Sequence, residues 1–297
     1  MSGCMYPTED ARPDAKRDEG FVSYFRRLPP AVPGTVRLFD RQDFYAVYGD
    51  DAVRVADIVF KTQSVVRQLG SKASPLASCT LNMASAKAFL RDALTARQLR
   101  IEIWAPTGDR QTWAVARQAS PGNLQEVEDL LFLQSDVVSS PIVMALRVKM
   151  EDGISVIGAA FADATNRHIG VAEYTENDLF SNSESLIIQL GVKECLVPAD
   201  DADYHVSKLR ALMERCGCVI TQVKRGTFTS KSIEEDMQRL LPASQRAALA
   251  PECSKKVAMS SAAALLSYLG LLSDESNFGR YTLKTHDLSE YLRLDHA

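Results

Sequence analysis

The residues with the most specific chemistry lie in FDRQDFYAVYGDDA (Phe39–Ala52). Two adjacent aromatics, Phe44 and Tyr45, follow Asp43 and precede Ala46. Apolar rings either fill a core or serve recognition, and between a strand and a helix both roles fit this pair. Further on, Lys61, Arg67 and Lys72 are cations of the kind that contact phosphates, and equally of the kind that only hydrate a surface.

Other chemistries have weaker support. Six cysteines (Cys4, Cys79, Cys195, Cys216, Cys218 and Cys253) form no CxxC pair. Cys216-Gly217-Cys218 is too tight for the usual zinc spacing and lacks a neighbouring His. Reduced, buried thiols in an intracellular protein are the expected state. His168 and His286 have no catalytic partner in the sequence, and neither G-x-S-x-G nor G-x-x-x-x-G-K-[ST] occurs. Asp163 is an acid of the type that holds nuclease metals, but such sites gather several carboxylates. The expected strand PIVMALRVKM (141–150) has none. No metal and no cofactor is therefore expected in this chain.

At 297 residues with 46% apolar content, the chain is long enough for two domains. The net charge of −4 is unevenly spread: residues 21–120 hold 14 Lys/Arg against 8 Asp/Glu, and residues 121–297 hold 17 against 25. The first part can approach phosphates, and the second repels them. No apolar leader opens the sequence and no apolar run approaches about 20 residues, so no membrane association is expected.

The elements that must position these residues read as follows. Residues 1–19 are charged and apolar-poor and read as a disordered tail. Phe21–Phe25 reads as a short helix, Thr35–Phe39 as a strand, and Asp50-Asp51 as the start of a helix bearing Ala52, Val55, Ala56 and Val59. Val65-Val66 and Leu76–Leu81 read as strands, Ala84–Ala96 as a helix, Leu99–Trp104 and Trp113–Arg117 as strands about a Gly108-Asp109 turn. Ser120-Pro121-Gly122-Asn123 is the clearest break, followed by a short acidic helix, Leu124–Leu131. Pro141–Lys149, Ile154–Ala162 and His168–Tyr174 make three successive strands. Helices and strands then alternate: a capping box at Ser181-x-x-Glu184, strand Cys195–Val197, helix Val206–Met213, strand Cys218–Val223, a second capping box at Ser232-x-x-Glu235, and an apolar helix, Val257–Leu272. Three strands followed by β-α alternation is the chain order of a ribonuclease-H-like sheet. The fold class is α/β, with a small mixed α/β domain at 20–120 and a ribonuclease-H-like domain at 121–285.

Four dispersed blocks in order, VRLFDRQDFYAVYGDDA (36–52), ASPGNLQEVEDLLF (119–132), GVKECLVP (191–198) and LLSDESNFGRYTL (271–283), give the chain a resemblance to the N-terminal part of the MutS family of DNA mismatch repair proteins, most like its second eukaryotic homologue group. The resemblance implies a mismatch-binding-type domain to residue 120, a connector domain over 121–285, and the start of the helical lever at 286–297. It also implies that the family's ATPase, with its ATP and Mg, lies beyond this stretch. Mismatch-reading members carry Phe-x-Glu, in which the ring wedges at the mispaired base and the carboxylate bonds to it. Here the motif reads Phe44-Tyr45-Ala46, and Ala46 has no group that reads a base edge. The implied role is a nuclear, non-catalytic subunit that touches duplex DNA through backbone and shape, with Phe44, Tyr45, Lys61, Arg67 and Lys72 as candidate contacts. The implied partners are a second MutS homologue, a MutL-type heterodimer and an exonuclease. Asp200–Tyr204 and Lys224–Thr229 are candidate docking loops by position. The alternatives are a protein-interaction module without DNA contact, and a ribonuclease-H-like nuclease.

Overall fold

A computed structural model describes residues 13–71, 73–108, 112–131, 141–199, 204–246 and 249–288. They form two compact units, one of residues 13–120 and 124–131, the other of 121–123 and the residues from 141 on.

The first unit opens with α1 (Pro13–Arg26), which begins inside the stretch expected to be an irregular tail. Proline is preorganised for the first position of a helix and gives up no hydrogen bond there. Residues 1–12 lie outside the described residues. Strands β1 (Thr35–Asp40) and β2 (Phe44–Tyr48) form a hairpin, followed by α2 (Asp50–Phe60), β3 (Arg67–Leu69), β4 (Leu76–Asn82), α3 (Met83–Thr95), β5 (Arg100–Pro106), β6 (Trp113–Ala119) and the single turn α4 (Glu128–Leu131). The sheet order is β3-β4-β2-β1-β5-β6, with only β1 and β5 parallel. Val65-Val66, expected as a strand, lies in the turn before β3.

Alternation along the strands divides the unit's apolar residues between two faces. Val36, Leu38, Tyr45, Val47, Ile101 and Ile103 pack with Phe89, Leu90 and Leu94 of α3. Phe39, Ala46, Tyr48, Trp104 and Trp113 face the other way and pack with Phe21 and Val22 of α1. Two helix ends differ in how far local sequence sets them. Asn82 caps α3 by accepting the Ser85 N–H at 2.8 Å. Lys61 ends α2 in the left-handed region, at φ 57°.

In the second unit, β7 (Val143–Glu151), β8 (Ile154–Asp163) and β9 (His168–Glu176) form an antiparallel meander. Then come α5 (Ser181–Leu190), β10 (Glu194–Pro198), α6 (Tyr204–Arg215), β11 (Val219–Val223), α7 (Ile233–Leu240), α8 (Ala243–Arg246), α9 (Ala250–Cys253), α10 (Lys256–Tyr268) and β12 (Thr282–Thr285). The order β11-β10-β7-β8-β9-β12 places the fourth and fifth strands beside the first, as in a ribonuclease-H-like sheet. β12 is an addition, paired in parallel with β9.

One face of this sheet packs on α7 and α10, the other on α5 and α6. Helix α10 lies so close to β8 that a Cβ on Gly158 would fall 2.2 Å from the Val257 carbonyl carbon. Ser261 Oγ donates to the Gly158 carbonyl at 2.7 Å across the same contact. Neither expected capping box forms. At α5, Glu176 accepts the N–H groups of Asn182 and Ser183 at 3.1 and 2.8 Å, and the N-cap residue is the left-handed Phe180. At α7, Ser232 makes no capping bond. Helix α10 is capped by the sheet: Glu173 of β9 accepts from Val257 and Ala258 N–H at 2.8 and 3.0 Å.

Candidate nucleic-acid interface

The β1–β2 turn is tightly fixed. Gln42 N–H donates to Asp40 Oδ1 at 2.7 Å, Asp43 N–H to the Arg41 carbonyl at 3.1 Å, and Arg41 N–H to the Phe44 carbonyl at 2.9 Å. Gln42 takes the left-handed backbone, at φ 75°, that such a turn needs. The hairpin therefore holds Phe44 at the very start of β2, opposite Asn82 of β4. Phe44 is 38% exposed, whereas Tyr45 is 6% and Ala46 2%. The adjacent aromatics thus part: Phe44 stays at the surface and Tyr45 enters the core. Burial, then Asp40, pushes the Tyr45 phenol above its usual range.

Ala46 lies on the same strand face as Phe44, two residues away, but α1 covers it there and leaves Phe44 exposed. Arg41 is held beneath by rings, with its guanidinium carbon 4.7 Å from the centre of Phe21 and 4.4 Å from that of Trp113, and it donates to the Tyr48 hydroxyl at 2.8 Å. It stiffens the base of the hairpin. Met83, beside Asn82, is also 38% exposed, and Lys87 follows one turn along α3. Met83 and Lys87 are further candidates that no sequence motif marks. Their one indirect signal is the helix-capping Asn82, which places the start of α3 next to Phe44.

The other candidates are not gathered at this point. Arg67 is exposed at the start of β3, opposite Ser78, which itself lies opposite Tyr48. It shares the Phe44 face but sits four residues along and two strands over, about 13 Å by about 10 Å. Lys61 is exposed at the C-terminal end of α2. Lys72 lies outside the described residues. Lys61, Arg67 and Lys87 make no ion pair among the described residues, whereas Arg37, Arg97 and Arg117 pair with Glu102, Asp92 and Asp129.

Comparison with known proteins places this hairpin. Residues 19–128 match the family model of MutS domain I, and residues 141–282 match that of MutS domain II. The chain belongs to the MutS family. It is 44% identical over 97% of its length to a DNA mismatch repair protein, msh-2, of Neurospora crassa. It is 34% identical over 96% to MSH2 of Zea mays, and 34% over 95% to MSH2 of Saccharomyces cerevisiae. The chain spans about a third of the length of these relatives, 31%, 30% and 30% respectively.

Within the MutS domain II region, the sheet carboxylates are engaged by neighbours. Asp163 accepts from the backbone N–H and side-chain amide of Asn166 at 3.0 and 2.7 Å. Glu173 and Glu176 cap helices as described. Glu194, fully buried in β10, accepts from Gly122 N–H at 3.0 Å, from Tyr268 OH at 2.8 Å and from Thr221 OH. No group of three His, Cys, Asp or Glu placed to hold a metal occurs among the described residues. His168 meets Thr282 Oγ1 at 3.1 Å, and burial lowers its pKa. Of the candidate docking loops, residues 200–203 lie outside the described residues. Lys224–Thr229 contains a 3-10 turn at Arg225–Thr227, tied to the sheet by Arg147 donating to the Phe228 carbonyl at 2.9 Å. Among the described residues no helix is long and apolar enough to cross a membrane.

Proposed function

We propose that this chain is the N-terminal part of a nuclear DNA mismatch repair subunit that works beside a second MutS homologue. Residues 20–120 rest on duplex DNA without reading its bases, and residues 121–285 relay and dock. The observation that carries the DNA reading is the split between Phe44 and Ala46. The exposed ring can press on a base step and favour a kinked duplex, but the neighbouring position offers no hydrogen-bonding side chain and is covered. What remains is backbone and shape contact, in keeping with the positive charge of residues 21–120. The names of the relatives, each a DNA mismatch repair protein, support the process. The chain has no chemistry of its own in this reading; ATP hydrolysis belongs to the rest of the protein.

The docking half is supported by exposed apolar side chains on the α5–α6 side of the second unit. Leu179, Ile188 and Tyr204 are 76%, 65% and 65% exposed. Lys208 lies over the Tyr204 ring at 4.6 Å and reaches the Asp178 carbonyl at 3.5 Å, which joins Tyr204 to the Leu179 loop. A MutL-type partner is the proposed occupant.

The test is a titration of the chain with matched and mismatched duplexes at two salt concentrations. Binding should weaken steeply with salt, and the two duplexes should differ by less than tenfold. A tenfold mismatch preference, about 1.4 kcal/mol, overturns the account of Ala46.

A further inference from the structure

Three cysteines converge in the second unit. Cys195 lies in β10, and Cys216 and Cys218 flank Gly217 in the turn between α6 and β11. β10 and β11 pair in parallel with Cys195 opposite Ile220. Cys218 precedes Ile220 by two residues, so the period of an extended chain points it to the same face as Cys195, one diagonal step away. Both thiols belong to one core cluster, and Cys216 packs against its edge.

The turn that presents them is fixed. Cys216 N–H donates to the Leu212 carbonyl at 2.9 Å, Gly217 N–H to Glu214 at 3.0 Å, and Cys218 N–H to Met213 at 3.0 Å. Gly217 holds the left-handed φ of 74° that makes this turn. The Cys218 thiol donates to the Val192 carbonyl at 3.3 Å. The two thiols are not equivalent. The neighbouring Cys195 thiol, aided by Lys193, holds Cys218 below the usual thiol range, while Cys218 and burial push Cys195 up. Cys218 also keeps 7% of its surface exposed, against none for Cys195.

We propose that Cys218 and Cys195 are a peroxide-responsive pair that closes to a disulfide across β10 and the α6–β11 turn. Hydrogen peroxide transfers one oxygen to the Cys218 sulfur, giving a sulfenic acid and one water. The Cys195 sulfur then attacks that sulfur, and hydroxide leaves with the Cys195 proton as a second water. Two thiols and one peroxide become one disulfide and two waters. Diagonal neighbours on adjacent strands stand about 7–8 Å apart, beyond the roughly 7 Å Cα separation that a disulfide spans without backbone movement. Closure therefore requires the Gly217 turn to carry the Cys218 backbone toward β10.

The test treats the whole chain with hydrogen peroxide, blocks remaining thiols under denaturing conditions and digests without reduction. Trypsin cuts after Lys193, Lys208, Arg215 and Lys224, so Cys195 falls in residues 194–208 and Cys216 and Cys218 fall in 216–224. The expected product joins these two peptides, returns to free thiols with dithiothreitol, persists in Cys216→Ser and disappears in Cys218→Ser. A Cys216–Cys218 bond, loss of the linked peptide in Cys216→Ser, or full alkylation of Cys195 after peroxide overturns the proposal. The two substitutions lie in or beside a turn, so the reading does not depend on replacing the fully buried Cys195.

Discussion

Glu194 Oε2 accepts the backbone N–H of Gly122 at 3.0 Å, so a buried carboxylate in β10 fastens the segment just after the Ser120-Pro121 break. A Cβ on Gly122 would fall 2.5 Å from that oxygen and 2.7 Å from Val143, so the position accepts only glycine without a shift. Replacing Glu194 by Ala removes the shared acceptor of three hydrogen bonds and should lower stability by about 3 kcal/mol. Glu194→Gln keeps one acceptor and should cost about 1–2 kcal/mol. Denaturant unfolding followed by far-UV circular dichroism measures both. Equal, negligible losses would refute a structural role for the carboxylate.

Gly158→Ala should be more damaging than its size suggests. The added methyl meets backbone of α10, which cannot swing aside like a side chain. A loss of about 3 kcal/mol is expected, and Ser261→Ala, which removes one hydrogen bond across the same contact, should cost about 1 kcal/mol. The same unfolding experiment ranks them, and the reverse order would mean that α10 relaxes away from β8.

Phe44→Ala and Tyr45→Ala should separate binding from folding. Phe44 is exposed, so its truncation should change stability by less than about 0.5 kcal/mol while weakening duplex binding. Tyr45→Ala opens the core beside Val47 and Leu81 and should cost about 3 kcal/mol. Both tryptophans, Trp104 and Trp113, belong to the first unit. Their fluorescence therefore reports its unfolding without signal from the second. Unchanged DNA binding in Phe44→Ala would remove the ring from the interface.

Acid should weaken the second unit through His168. Burial favours the neutral ring, so the folded pKa lies below the ordinary 6.5. As pH falls through that value the unfolded chain takes up the proton first, and stability drops until the folded histidine also titrates. Thermal unfolding at pH 7.5 and pH 5.5 should show a larger decline for the wild type than for His168→Gln. An identical decline would assign the effect to other groups.

The sequence made the long apolar helix α10, the meander β7–β9 and the ribonuclease-H-like strand order readable, because each rests on strong periodicity or chain order. It hid β2. Tyr45 to Tyr48 are buried on both faces, so no polar alternation marks them as a strand, and the pair Phe44-Tyr45 looked like a single feature. The caps of α5 and α10 were equally hidden. Their acceptors, Glu176 and Glu173, both belong to β9, and only the folded sheet brings Glu173 to the start of α10, 84 residues later. β12 is short, polar and at an edge, and carries almost no hydrophobic signal.

The covering of Ala46 by α1 has a bearing on ancestry. A carboxylate at this position would enter a cluster of Phe21, Phe39 and Tyr48 whose cation, Arg41, is already bound to the Tyr48 hydroxyl. Placing a base-reading side chain there takes more than replacement of Ala46 alone, since the α1 side chains above it must be remodelled at the same time. Under the proposed function, a division of labour between two homologues, once embedded in packing of this kind, becomes a ratchet: the non-reading one cannot drift back to reading DNA one residue at a time.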